Sequence, residues 1–128
     1  MSSSDLISEY RAGMFDGEPG VAWLRPGWRS LRFYGRRAKA AIEAGDVVLK
    51  ATMILRADRL LTIMTGILDT SGGTTLGPAM MRIYDRLRFC LWKANIRNDC
   101  VALDDYDQAL LTIDEQFLKL SNLKADRR

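Results

Sequence analysis

The stretch from Met80 to Asp99, MMRIYDRLRFCLWKANIRND, decides the fold class, because it has the period of an α-helix and apolar residues on two faces. At about 100° per residue, one face contains Met80, Ile83, Tyr84, Leu87, Leu91 and Ala94. The opposite face, named here the outer stripe, contains Met81, Phe89, Trp92 and Ile96. A helix that packs on one side needs a single apolar stripe. The outer stripe therefore predicts a two-sided burial of the helix, a covering N-terminal arm, or a groove for a partner's amphipathic helix.

The remaining sequence predicts further helices separated by short breaks. Gly45 suits the left-handed residue that ends a helix, and Asp46 and Asp99 suit the N-cap of the helix that follows. The predicted helices run roughly over 28–43, 47–68, 76–98 and 101–120. Four helices with short connections predict an all-α fold, an antiparallel up-down four-helix bundle. The Gly- and Pro-rich residues 1–27 predict a short N-terminal helix or arm and a loop, and 121–128 predict a polar tail.

The helical period also assigns residues to the core and to the surface. The residues predicted to lie in the core include Leu61, Leu68, Tyr84, Leu87, Leu91, Leu110 and Phe117. A basic stripe on the first helix is predicted to be a solvated face, with phosphate contacts as the weaker alternative; it contains Arg29, Arg32, Arg36 and Lys39. The last helix carries carboxylates that are likewise predicted to lie in solvent, including Asp104, Asp105, Asp107, Asp114 and Glu115.

Composition excludes several classes of function. The chain has 128 residues, a net charge of +3 and no histidine, so the commonest general base and metal ligand are missing. No catalytic constellation, metal site or cofactor site is expected. No apolar run approaches the ~20 residues that span a bilayer, and the N-terminal sequence has no export signal. We therefore expect a cytoplasmic protein in which Cys90, predicted to be buried, and Cys100 are both reduced.

Five segments, in order, resemble the family of the flagellar secretion chaperone FliS. They are AKAAIEAGD (38–46), RADRLLTIMTGILD (56–69), GG (72–73), IYDRL (83–87) and KANIRNDCVAL (93–103). The resemblance implies an antiparallel four-helix bundle without enzymatic activity or cofactor. It also implies a cytoplasmic chaperone that binds the C-terminal segment of flagellin, prevents premature polymerisation and docks the loaded client on the flagellar export gate.

The N-terminal third departs from the family pattern. The family usually has a Tyr-x-x-Tyr arrangement near its start that can cap the client site; here Tyr10 matches the second tyrosine and Ile7 replaces the first. Phe89 and Trp92 are unusual for the family, and Phe117 stands where it commonly has Trp. The residues expected to contact a partner are Leu60, Ile67, Met81, Phe89, Trp92 and Ile96, with Tyr10 as the capping residue.

Other functions remain open from sequence alone. A helical adaptor for a client other than flagellin fits the same apolar surface. A basic bundle that binds nucleic acid is less favoured, because aromatic residues do not flank the basic stripe. An all-α enzyme of the chorismate-mutase type requires inward-pointing arginines, whereas those of this chain map mainly outward. Pairing of the free protein with itself through the outer stripe is also left open.

Overall fold

Four helices form the described part of the molecule, which comprises residues 18–67 and 76–126 of the computed structural model. They are α1 (Glu18–Ala44), α2 (Val47–Gly66), α3 (Leu76–Arg97) and α4 (Cys100–Asp126). The packed neighbours are α1 with α2, α2 with α3, α3 with α4, and α4 with α1. This arrangement confirms the predicted all-α antiparallel four-helix bundle. The predicted capping residue Tyr10 and the core residue Leu68 lie outside the described residues.

Both short connections use the chemistry that the sequence predicts. Gly45 has a φ of 71°, and the Asp46 carboxylate accepts a hydrogen bond from the Leu49 amide at 3.0 Å. In the second connection Asn98 has a φ of 51°, and Asp99 accepts from the Ala102 amide at 3.0 Å. Since each carboxylate satisfies an otherwise unpaired amide of the first helical turn, the two turns fix where α2 and α4 begin.

Helix α1 begins at Glu18, ten residues before the predicted start, and it contains Pro26 in its interior. The prediction was wrong because it gave more weight to local helix breakers than to burial. Leu24 and Trp28 are buried one turn apart on the same face. Burying each such side chain contributes about 1.5–3 kcal/mol, which offsets the ~3 kcal/mol that proline costs inside a helix. Helix α4 likewise continues to Asp126, past the predicted end.

The core confirms most of the predicted residues and adds an aromatic centre. The confirmed ones are Leu61, Tyr84, Leu87, Leu91, Leu110 and Phe117, and Cys90 is buried as predicted. At the centre, the Trp28 indole N–H donates to the Tyr84 hydroxyl at 3.2 Å, and the Trp28 and Phe117 rings meet edge to face at 5.0 Å. Trp28 therefore joins α1 to α3 across the diagonal of the bundle and to its neighbour α4.

The first turns of α2 differ from the prediction. The helical period places Val47 and Ala51 on the same inward face as Leu61, but both are exposed. The buried residues of α2 are Met53, Ile54, Ala57, Leu61 and Met64. The apolar arc of this helix covers about half its circumference, wider than one packing face requires, so the pattern alone does not determine the rotation of the helix.

The predicted solvated basic stripe is only partly in solvent, because three of its four cations pair with carboxylates of α4. The Arg32 guanidinium donates two hydrogen bonds, of 3.0 and 3.2 Å, to the Asp107 carboxylate. This contact raises the pKa of the Arg32 guanidinium. Arg29 is exposed. The ion pairs that join the helices are Arg25–Asp114 (2.6 Å), Arg32–Asp107 (3.0 Å), Arg36–Asp107 (3.5 Å) and Lys39–Asp104 (2.8 Å). Their order along the two helices agrees with the antiparallel register of α1 against α4.

We expect Gly35→Ala to destabilise the bundle. A Cβ at Gly35 would lie 2.6 Å from Cε1 of Tyr106, and this buried ring is tethered because its hydroxyl donates to the Leu31 carbonyl at 2.8 Å. The loss should be about 1–3 kcal/mol, although alanine normally stabilises a helix by ~1 kcal/mol relative to glycine. Gly66→Ala is the control, since a Cβ there meets nothing within 4 Å. Urea unfolding that shows equal stability for both variants would contradict this packing.

We also expect the stability of the protein to fall as the pH rises above about 10. Burial raises the pKa of Tyr84 to about 12, whereas an unfolded tyrosine ionises near 10. Between these values the unfolded state loses a proton that the folded state retains, so the free energy of unfolding decreases by up to about 1.4 kcal/mol per pH unit. Burial also raises the pKa of Tyr106, so Tyr84→Phe should reduce this slope without abolishing it in urea titrations between about pH 10 and 12. An unchanged slope would show that Tyr84 does not contribute.

Candidate partner-binding surface

Helix α3 has one face in the core and an apolar face in solvent. Tyr84 and Leu87 are completely buried. On the opposite side, Phe89, Trp92 and Ile96 are 56%, 49% and 61% exposed; these three residues are named the exposed strip. They follow one another at intervals of three and four residues, so they form a continuous row along the helix. The strip has the spacing at which one helix anchors another in a groove.

The two aromatic rings of the exposed strip are stacked on each other, and each has a cation over its ring. The ring centroids of Phe89 and Trp92 lie 6.0 Å apart, with an angle of 12° between their planes. The Lys93 ammonium lies 5.0 Å from the centre of the Phe89 ring, and the Arg97 guanidinium lies 5.6 Å from that of Trp92. Such contacts stabilise the rings in a partly exposed position. The strip is therefore an ordered aromatic surface with a basic border.

A shallow groove of about 420 Å³ runs beside the exposed strip, between α2 and α3. Ile54 and Leu91 are buried beneath it, and Trp92 forms one side. Leu55 of α2 also lines the groove and is 49% exposed. Within the described residues, α2 and α3 pack less closely than the other neighbouring helices do. The groove exists because these two helices pack less closely than the others.

Polar side chains surround the middle of this groove. Asp58, Arg88 and Asn95 line it, and the Arg88 guanidinium donates to the Thr62 hydroxyl at 3.1 Å. The Arg88 Nε is buried and has no hydrogen-bond acceptor among the described residues. An unpaired buried donor of this kind costs free energy. The groove thus combines an apolar base with groups that can orient a polar atom.

Only part of the predicted contact set lies at this surface. Phe89, Trp92 and Ile96 are exposed together, while Met81 is half-buried against the core. Leu60 also packs against the core and does not line the groove, and Ile67 is 1% exposed. Tyr10 lies outside the described residues. Contact of Met81, Leu60, Ile67 and Tyr10 with a partner therefore stays a prediction from sequence.

Leu55 is the surface residue that the sequence reasoning missed. It follows the buried Ile54, so the pattern assigned neither a core nor a partner role to it. An apolar residue adjacent to the inward stripe of a helix is a weak signal, because scattered exposed leucines are common on protein surfaces. Its position across the groove from Trp92 becomes evident only when α2 and α3 are placed side by side.

The described residues offer little for catalysis. Burial raises the pKa of the Cys90 thiol, which keeps it protonated and unreactive at neutral pH. Within residues 18–67 and 76–126, no group of three or more His, Cys, Asp and Glu side chains is placed to hold a metal ion. In the same part of the chain, none of the helices has the length and apolar character to cross a membrane.

Sequence comparison connects this bundle to a known family. The family model for the flagellar protein FliS matches residues 31–123, which include the exposed strip and Leu55. This chain belongs to the FliS family. The flagellar secretion chaperone FliS of Salmonella typhimurium is 30% identical over 87 residues, which cover 66% of this chain and 64% of that protein. The match thus spans a little under two thirds of the relative's length. It confirms the family resemblance, and it agrees with the expectation of a non-enzymatic protein.

We expect Trp92→Asp to leave the fold of this FliS-family protein intact. Because Trp92 is about half exposed, the variant loses one aromatic stack and part of one apolar contact, about 1 kcal/mol. Helix content and the melting temperature should stay close to those of the unchanged protein. Leu91→Asp is the control, since Leu91 is buried and a buried unpaired carboxylate should unfold the bundle. If circular dichroism shows that Trp92→Asp also unfolds the protein, Trp92 belongs to the core.

Proposed function

We propose that this FliS-family protein is a cytoplasmic export chaperone that binds the C-terminal segment of flagellin and prevents it from polymerising before secretion. The observation that carries the proposal is the exposed strip, an apolar row with helical spacing within the matched family region. The name of the Salmonella relative, a flagellar secretion chaperone, supports the same function. Docking of the loaded chaperone on the flagellar export gate is part of the proposal.

The mechanism we propose is sequestration of an apolar segment. Each of Phe89, Trp92 and Ile96 exposes about half of its surface, and Leu55 adds a fourth apolar contact across the groove. Covering such side chains contributes about 25 cal/mol per Å² of apolar surface. A disordered client segment must spend part of this free energy on becoming ordered. While the segment lies on the chaperone, its own apolar face is unavailable for self-assembly.

The arrangement of charges disfavours the nucleic-acid alternative for the basic stripe of α1. Three of its four cations, Arg32, Arg36 and Lys39, pair with carboxylates of α4. Phosphates would have to compete with these intramolecular partners. A helical adaptor for a different client remains the second candidate, because an exposed apolar strip does not by itself specify flagellin.

Co-expression with the flagellin of the same organism tests the proposal directly. We expect a 1:1 complex in gel filtration, and no complex when the C-terminal segment of flagellin is deleted. The absence of any complex, or a complex that survives this deletion, would contradict the proposed client. A stable complex with another protein of the flagellar assembly, and none with flagellin, would favour the adaptor instead.

A matched pair of variants tests whether the exposed strip is the binding surface. Phe89 on α3 and Phe33 on α1 are 56% and 55% exposed, and they lie on helices that are not neighbours in the bundle. We expect Phe89→Asp to weaken flagellin binding at least tenfold, because loss of one central aromatic anchor costs more than 1 kcal/mol. Phe33→Asp should change the affinity less than about twofold. Calorimetry that gives equal losses for both variants would contradict the assignment of the strip.

A further inference from the structure

Helix α3 carries an excess of positive charge, and its cations form no ion pair with the part of the chain that the structure describes. Its residues Leu76–Arg97 include five cations and one carboxylate. Within residues 18–67 and 76–126, the ion pairs between helices join α1 to α4 instead. Three carboxylates lie near the partner-binding surface, namely Asp85 on α3, Asp58 in the groove and Asp105 of α4 beside Arg86. They are fewer than the five cations of α3, so the surface remains basic.

Four of the five cations lie along one side of the exposed strip. At about 100° per residue they fall within about 60° of rotation and span about 22 Å of helix. This cation row consists of Arg82, Arg86, Lys93 and Arg97. Within the described residues none of the four forms an ion pair, although Asp105 of α4 lines the same groove as Arg86. The apolar α2–α3 groove lies on the other side of the strip.

We infer that the client segment is an amphipathic helix with a row of carboxylates along one edge of its apolar face. This inference rests on the proposed chaperone function and specifies the chemistry of its client. The apolar face covers Phe89, Trp92 and Ile96, and the carboxylates pair with the cation row. Since the row spans about four helical turns, the complementary Asp and Glu residues recur over a similar length of the client.

The charge and shape of the surface favour this occupant over two others. A second copy of the chain that pairs through the same strip brings the same excess of cations to the interface, so this pairing is disfavoured by repulsion between like charges. Single-stranded nucleic acid binds by stacking its bases on free aromatic faces, but Phe89 and Trp92 are stacked on each other with Lys93 and Arg97 at their rings. The phosphate backbone of a nucleic acid is charged, so it would also leave the apolar groove beside Leu55 unfilled.

The test compares two double charge reversals by calorimetry with the C-terminal segment of flagellin. Lys93→Glu/Arg97→Glu changes the cation row, and Arg29→Glu/Arg37→Glu changes α1 by the same net charge. The control is closely matched, because Arg37 also lies over an exposed ring, that of Phe33, at 6.0 Å. We expect the first variant to bind about tenfold more weakly and the control less than twofold. Binding by the unchanged protein should weaken from about 50 to about 500 mM NaCl.

The variant Lys93→Glu/Arg97→Glu loses both its cation–π contacts and its charge pairing with the client. A change in the client shows which of the two losses weakens binding. Replacing the Asp and Glu residues at the edge of the bound segment by Lys should restore binding to Lys93→Glu/Arg97→Glu and weaken binding to the unchanged protein. Failure of this exchange to restore binding, with the variant folded as judged by circular dichroism, would overturn the inference.

The remaining outcomes distinguish this inference from the proposed function. If the unchanged protein binds flagellin with an affinity that neither salt nor Lys93→Glu/Arg97→Glu alters, the inference is wrong and the chaperone function stands. If the unchanged protein does not bind flagellin, the proposed function is wrong and the inference falls with it. If a single-stranded DNA 20-mer displaces the client and its binding depends on the same two cations, the surface recognises nucleic acid and the inference is overturned.

Discussion

The buried contact of Trp28 with Tyr84 and Phe117 is the constraint on which the rest of the bundle depends. The indole is fully buried, its N–H bonds to Tyr84 on the diagonal helix, and its ring meets Phe117 edge to face. Burial of this large ring offsets the cost of proline inside α1. Because Tyr84 must point at Trp28, the rotation of α3 is fixed. The opposite face of α3, with Phe89, is therefore held in solvent.

The distribution of charge follows from the same packing. The cations of α1 that border α4 pair with its carboxylates, and Arg32 shares two hydrogen bonds with Asp107. These pairs match the register of the two helices and neutralise most of the α1 stripe. Helix α3 retains its positive charge beside the exposed strip. The side of the bundle formed by α1 and α4 therefore has most charges of the α1 stripe paired internally. The outward face of α3 presents the exposed strip beside cations that form no ion pair within the described residues.

The sequence predicted those features that depend on local chemistry and failed for those that depend on packing between helices. The caps at Asp46 and Asp99 and the two faces of α3 follow from turn geometry and from the helical period. The early start of α1 does not follow from local chemistry, because the burial of Leu24 outweighs the helix-breaking tendency of Pro26 and Gly27. The position of Leu55 at the site could not be predicted, because it depends on how α2 and α3 pack side by side. Pairing of Arg32 with α4 required the register of two distant helices.

Side-chain footprinting with hydroxyl radicals tests the central claim most directly, because one molecule contains both the site and its control. In the free protein, Phe89, Trp92 and Phe33 should all react, and Trp28 should not, in keeping with their exposure. In the complex with flagellin, we expect protection of Phe89 and Trp92 while Phe33 reacts as before. Protection of Phe33 with Phe89 and Trp92 unchanged would contradict the assignment of the outward face of α3 as the client-binding surface.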